Sequence, residues 1–167
     1  MISAGDNHSI FANSVNGAIY TTGNYNYLRG EKMRESSVRV PERIFAEEIN
    51  ISNKNKRIQK IASGANHNCV LVDGKVFCRG EPEALTIGRR TSKRHKVDNS
   101  LTFNGVNLSH IVDIECGGYH TVAKVFKKGK FHYYAWGTNS SGQLGIGSYV
   151  SQAYPFEIKK LRGKKIK

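Results

Sequence analysis

Ile61-Ala62-Ser63-Gly64-Ala65-Asn66-His67-Asn68 is a stretch this chain carries three times. It stands earlier as Ile2-Ser3-Ala4-Gly5-Asp6-Asn7-His8-Ser9 and later as Ile114-Glu115-Cys116-Gly117-Gly118-Tyr119-His120-Thr121. Each copy is followed by an apolar run, a turn with glycine, a second apolar run and a further glycine, at Gly23, Gly80 and Gly137. The histidines stand 59 and then 53 residues apart. A period of this order is the mark of a repeat architecture, in which no unit buries its apolar face alone.

The second copy reads most clearly. Asn68-Cys69-Val70-Leu71-Val72 and Lys75-Val76-Phe77-Cys78 are strand-forming runs joined by Asp73-Gly74. That dipeptide suits a type I′ hairpin turn, which needs positive φ at both central residues. Asn16-Gly17 and Lys128-Gly129 are expected to do the same in the first and third copies. The runs are apolar nearly throughout, so the strands are covered on both faces. Sheets covered on both faces at this repeat length suggest β-propeller blades. A stack of unrelated hairpins or a β-solenoid is the alternative.

The expected fold is therefore all-β: an incomplete β-propeller of three antiparallel blades, each of three to four strands, over about 1–60, 61–113 and 114–167. The repeated histidine is placed at the start of the innermost strand. Outer strands are expected near Glu42-Arg43-Ile44-Phe45, Ile49-Asn50-Ile51, Leu101-Thr102-Phe103 and Val106-Asn107-Leu108. No segment sustains a 3.6-residue apolar period, so helix should be scarce. The shorter-period blades marked by a Trp-Asp pair are not indicated, since that pair is absent.

The Gly-x-x-His stretch, the run Trp136-Gly137-Thr138-Asn139-Ser140-Ser141-Gly142-Gln143-Leu144-Gly145-Ile146-Gly147, and Pro155-Phe156-Glu157-Ile158 resemble the repeat of the regulator of chromosome condensation family. The third copy matches best. The first drifts after Thr22-Gly23-Asn24, and the second reads Arg79-Gly80-Glu81-Pro82-Glu83-Ala84-Leu85-Thr86-Ile87-Gly88. The resemblance implies a propeller that closes with seven blades, where this chain supplies three. It implies a guanine-nucleotide exchange factor for a Ran-like small GTPase, or the repeat region of a large ubiquitin ligase, as relatives' roles. The family's tryptophan-cluster photoreceptor mode is set aside, because Trp136 is the single tryptophan.

At 167 residues the chain is too short for a closed seven-blade ring. The tail from Lys159 reads as a lead-in to a further copy. The expectation is a fragment of a larger propeller, a degenerate copy, or a chain completed by association through open blade faces.

Net charge is +13, from 26 basic and 13 acidic residues. It concentrates at Lys54–Arg57, Arg89–Lys96, Lys127–Lys130 and the tail from Lys159. Such clusters attract phosphate backbones or acidic surfaces. Without a nucleic-acid motif or interleaved aromatics they read as solvated loops, so chromatin or nucleic-acid contact is not favoured.

Cys69, Cys78 and Cys116 make an odd count, and no apolar leader is evident. An intracellular setting, cytoplasmic or nuclear, and no membrane association are expected. With Asp73-Gly74 as the turn, Cys69 falls opposite Cys78 in a non-hydrogen-bonded pair. A disulfide fits geometrically, but two buried thiols are the expectation in this setting. His67, Cys69 and Cys78 are three donors on one hairpin without a fourth at metal-site spacing, so no metal site is assigned.

No catalytic constellation, phosphate-binding glycine loop or cofactor motif is present, and neither enzymatic activity nor a cofactor is expected. The reading is a non-enzymatic protein-interaction module binding through loops on one propeller face. The candidate partner-binding residues are Asp6, Asn7, His8, Asn66, His67, Tyr119 and His120. The expected partner is a protein, with a small GTPase among the candidates.

Overall fold

The structure, a computed structural model, describes residues 1–24, 37–44, 57–80, 85–88, 104–106 and 108–166. Among the described residues it holds three four-stranded antiparallel sheets. The first contains β1 (Ile2–Ala4), β2 (His8–Ala12), β3 (Ile19–Asn24) and β4 (Ser37–Ile44). The second contains β5 (Ile58–Ser63), β6 (His67–Val72), β7 (Lys75–Gly80) and β8 (Asn104–Gly105). The third contains β9 (Ile111–Cys116), β10 (His120–Lys127), β11 (Lys130–Gly137) and β12 (Gln152–Glu157). Within each sheet the strands pair in chain order. Among the described residues one 3-10 turn, Lys159–Leu161, follows β12. Among the described residues no helix is long and apolar enough to cross a membrane.

The sheets stack as blades. Ile10, Ala12 and Ile19 of the first pack against Ile58, Ile61, Val70 and Val72 of the second. Leu71, Val76 and Ile87 of the second pack with Ile111, Ile114, Val125 and Trp136 of the third. All six residues of β6 are buried, as a strand covered on both faces requires. A third apolar group, Tyr133, Ala135, Leu144 and Ile158, lies in blade 3 with Leu161 of the tail packed on it. The tail is tied down further: the Tyr133 hydroxyl donates to the Lys164 carbonyl at 2.9 Å and accepts from the Ile166 amide at 3.0 Å.

The sequence expectation misplaced the innermost strand. The histidine opens the second strand of each sheet, β2, β6 or β10. The first strands of neighbouring blades touch each other, β1 with β5 and β5 with β9, which is the place nearest a propeller axis. The Gly-x-x-His stretch is thus the tight link from first strand to second. These first strands look unlike core strands because their solvent side is charged: Lys60 of β5 bonds Asp113 of β9 at 2.8 Å and also Glu115.

Two of the three turns follow the expected chemistry. Asp73 and Gly74 have φ of 49° and 71°, and Lys128 and Gly129 have 50° and 73°. Val72 pairs with Lys75, and Lys127 with Lys130, across them. The first connection is wider: the last pair is Ala12 with Ile19. The Asn13 side chain accepts from the Val15 and Asn16 amides, and Asn16 accepts from Ala18, so asparagine-built turns replace the two-residue hairpin.

Of the expected outer strands, Glu42-Arg43-Ile44 lies in β4. Val106 and Leu108 stand beyond β8, outside a strand. Phe45, Ile49-Asn50-Ile51, Leu101-Thr102-Phe103 and Asn107 lie outside the described residues, as does the Arg89–Lys96 cluster.

Cys69 and Cys78 are directly paired, with Cα atoms 4.1 Å apart, and are joined by a disulfide. The expectation of two thiols is corrected in this respect. The cross-strand position was given by the turn, whereas the bond depends on oxidation state as well as geometry. Cys116 is free.

Candidate partner-binding face

Each Gly-x-x-His link is built the same way. The glycine amide donates to the histidine carbonyl, at 2.9 Å in blade 1, 2.8 Å in blade 2 and 2.9 Å in blade 3. The imidazole folds back over the glycine. A Cβ on Gly5, Gly64 or Gly117 would lie 2.3, 2.2 or 2.1 Å from the ring of His8, His67 or His120. The later glycine faces the histidine across the hairpin, in the pairs His8–Gly23, His67–Gly80 and His120–Gly137. A Cβ on Gly23, Gly80 or Gly137 would meet the carbonyl oxygen of Asn7, Asn66 or Tyr119 within 2.5 Å. The spacing of glycine, histidine and glycine is therefore a packing unit.

The histidines also join blade to blade. His8 Nε2 lies 2.9 Å from Asn68 Oδ1 and donates to it across the boundary of blades 1 and 2. His67 Nε2 lies 2.9 Å from Thr121 Oγ1, from blade 2 to blade 3. The backbone does likewise. The Ala65 amide donates to the Gly118 carbonyl at 2.8 Å, and a Cβ on Gly5 or Gly64 would reach the carbonyl of Gly64 or Gly117 within 2.5 Å. Burial, with the nearby His8 and His120 adding to it, lowers the His67 pKa to about 3, so this ring is neutral. His120, half-buried, is also lowered by burial.

The seven candidate residues thus divide. Asp6 and Asn7 are exposed, Asn66 is partly so, and Tyr119 is 45% exposed. Behind them His8 and His67 are buried, and His120 is half-buried at the end of the stack. The exposed rim can meet a partner; the buried histidines hold the rim in place.

The same face receives the loop from Thr138 to Ser151, because it leaves β11 beside the histidine end of β10. The Thr138 amide donates to the Tyr119 carbonyl at 2.8 Å. Asn139 holds this loop. Its Nδ2 donates to the carbonyls of Ser148 at 2.7 Å and Val150 at 3.1 Å, and its Oδ1 accepts from the Leu144 amide at 2.9 Å. Leu144 is anchored in the core, and Gly142, Gly145 and Gly147 take positive φ. This explains the Trp-Gly-x-Asn-x-x-Gly-Gln-Leu-Gly run. Trp136 is fully buried and donates from Nε1 to the Thr86 carbonyl of blade 2 at 2.8 Å.

The loop, tied to the Tyr119 carbonyl at Thr138, leaves Tyr149 75% and Val150 64% exposed. Sequence reading missed these two. It also missed Asn68 and Thr121, although the residue after each repeated histidine, Ser9, Asn68 or Thr121, is polar every time. The basic turn Lys127–Lys130 lies at the opposite end of the strands from this face.

These are β-propeller blades, three in a stack, with one end formed by the repeated turns. They are similar to the blades of the regulator of chromosome condensation repeat family. The family model for the Regulator of chromosome condensation (RCC1) repeat matches residues 132–167. The E3 ubiquitin-protein ligase HERC2 of Mus musculus is 32% identical over 98% of this chain, and that of Homo sapiens 31%. The chain spans 3% of the length of these relatives. Among solved structures, human WBSCR16 superposes with a TM-score of 0.78 at 19% identity, over 93% of this chain and 40% of that one. Yeast RCC1 (Prp20), solved bound to Kap60, gives 0.76 at 19% identity, over 95% of this chain and 36% of that one.

Proposed function

We propose that this chain is a non-catalytic protein-interaction module, binding a protein partner through the face formed by its Gly-x-x-His turns and the Thr138–Ser151 loop. The observation that carries the reading is the division of labour at the turns. His8 and His67 are used in holding blades together and the motif glycines in packing the turns, while Asp6, Asn7 and Tyr119, with Tyr149 and Val150, are exposed and Asn66 is partly so. An exposed apolar and aromatic group with a polar surround is what a binding surface offers. An intracellular setting, cytoplasmic or nuclear, belongs to the same reading.

Exchange activity on a Ran-like GTPase is the second reading. Its support is the shared fold with Prp20p of Saccharomyces cerevisiae, whose structure is described with its binding to Gsp1p and histones. A contribution to ubiquitin ligation, as in the HERC2 relatives, would need a catalytic part beyond these blades. Binding to chromatin through the basic loops is not favoured, because the described basic turn lies away from the proposed face.

The test is affinity capture from cell extract with three forms of the chain. One is wild type, one carries Asp6→Ala, Asn7→Ala and Tyr119→Ala, and one carries Val15→Ala and Lys128→Ala at the other end of the strands. Proteins held by wild type and the third form should be lost from the second. Loss from the third form with retention by the second would overturn the proposed face.

A further inference from the structure

The boundary between blades 2 and 3 gathers sulfur. Cys69 Sγ, Cys116 Sγ and a ring nitrogen of His67 lie within 4.8 Å of one another. Cys78 Sγ is bonded to Cys69 Sγ, which puts a third sulfur beside them. The Thr121 hydroxyl sits among the group, 2.9 Å from His67 Nε2, 3.8 Å from Cys69 Sγ and 3.9 Å from Cys116 Sγ.

The repeat supplies an internal comparison. At the boundary of blades 1 and 2 the equivalent places hold His8, Ile10, Thr21 and Ser63. The fold therefore needs the histidine at this position and does not need the cysteines. Cys69, Cys78 and Cys116 come from three strands, β6, β7 and β9, and from both blades.

Three thiolates and one neutral imidazole make the donor set of a closed tetrahedral zinc site. In such a shell the donors stand roughly 3.5–3.8 Å apart. The separations among the His67, Cys69 and Cys116 donors exceed that by about an ångström at most, and Cys78 Sγ is held to the group through its bond to Cys69 Sγ. Opening the disulfide frees both of its sulfurs to move inward. Cys116 precedes the turn Gly117-Gly118-Tyr119, of which Gly118 and Tyr119 are exposed, so an ion has a short path from solvent.

We propose that reduction of the Cys69–Cys78 disulfide opens a zinc site made of His67, Cys69, Cys78 and Cys116, and that the metal pins blade 2 to blade 3. A dithiol reductant supplies two electrons and two protons, splits the S–S bond into two thiols and closes to its own disulfide. On zinc binding the three thiols release three protons to solvent, and the His67 nitrogen gives its lone pair. The Thr121 hydroxyl yields its place against His67 to the ion. The site and the disulfide exclude each other, since Cys69 and Cys78 cannot serve both.

The whole chain is the material for the test. It is reduced, freed of reductant without air, and titrated with zinc against a chromophoric chelator. The same is done with the oxidised chain and with Cys116→Ser. The reduced wild type should bind one zinc per chain and melt at a higher temperature with zinc than without. The oxidised chain should bind none, and Cys116→Ser should bind at least about tenfold more weakly. Cobalt(II) in place of zinc should give the reduced wild type a sulfur-to-metal charge-transfer band, weakened in Cys78→Ser, a second variant that cannot form the disulfide. Circular dichroism of each variant confirms that it is folded. Zinc binding that is absent from the reduced chain, or unchanged in folded Cys116→Ser, overturns the proposal.

Discussion

Adding a single methyl group at Gly64 probes the link between the repeated motif and the stacking of blades. In Gly64→Ala the new Cβ would stand 2.2 Å from His67 Cε1, 2.4 Å from its Nδ1 and 2.5 Å from the Gly117 carbonyl oxygen of the next blade. Two of these neighbours belong to a buried ring and the third to backbone, so none yields easily. Overpacking of this kind costs about 1–3 kcal/mol. Pushing the ring away from Thr121 forfeits a buried hydrogen bond worth about 1 kcal/mol more. A loss of about 3 kcal/mol should lower Tm by roughly 6–12 °C in a chain of this size. Thermal melting followed by circular dichroism reads this directly. Gly118→Ala is the control, since its Cβ meets nothing within 4 Å, and should change little. Gly117→Ala should fall between, because its Cβ meets the ring of His120, which is half-buried and freer to turn aside. A Gly64→Ala chain melting within about one degree of wild type, or a Gly117→Ala chain losing as much, would refute the clasp between blades.

Three further outcomes follow from the same geometry. His67→Ala should lower stability by about 1–3 kcal/mol in chemical denaturation, by leaving Thr121 without its ring partner, while His120→Ala at the end of the stack should cost clearly less. On acidification a second effect should appear in blade 3. The hydrogen bonds of Arg162, then of His132, hold Glu157 down to about 2, so its contribution is complete above its ordinary value of 4.5 and is lost as pH falls from there through about 2; Glu157→Gln should flatten that part of the pH–stability curve. In sedimentation the isolated chain should associate with itself or prove marginally stable, because each uncovered blade end forgoes one neighbour interface; a stable monomer at all concentrations would count against that.

The second and third strands of each blade were legible as strand-forming runs on either side of a glycine turn, although only β6 is buried along its whole length; β2, β3, β10 and β11 mix buried with more exposed positions. Asp73-Gly74 and Lys128-Gly129 give their conformation away, whereas the first turn is governed by Asn13, whose side chain acts across several residues. The first strands were hidden for a physical reason. One side of β5 and β9 carries Lys60, Asp113 and Glu115, which pair across the blade boundary and break the apolar pattern. The pairing of Cys69 with Cys78 followed from the turn, but their bond did not, since sequence carries no record of oxidation state. Of the candidate face, the turns were visible through repetition. Tyr149 and Val150 were not, because their place depends on Asn139 folding a long loop back on itself.

The central claim is that these blades bind without acting on what they bind. It is tested most directly by mixing the purified chain with a Ran-like GTPase loaded with a fluorescent nucleotide and following release. Release is expected at the spontaneous rate at every concentration of the chain, since three blades present a surface that binds a partner without a group placed to open its nucleotide site. Release that accelerates in proportion to the chain, and returns to the spontaneous rate with the Asp6→Ala, Asn7→Ala, Tyr119→Ala form, would contradict it and make the chain an exchange factor.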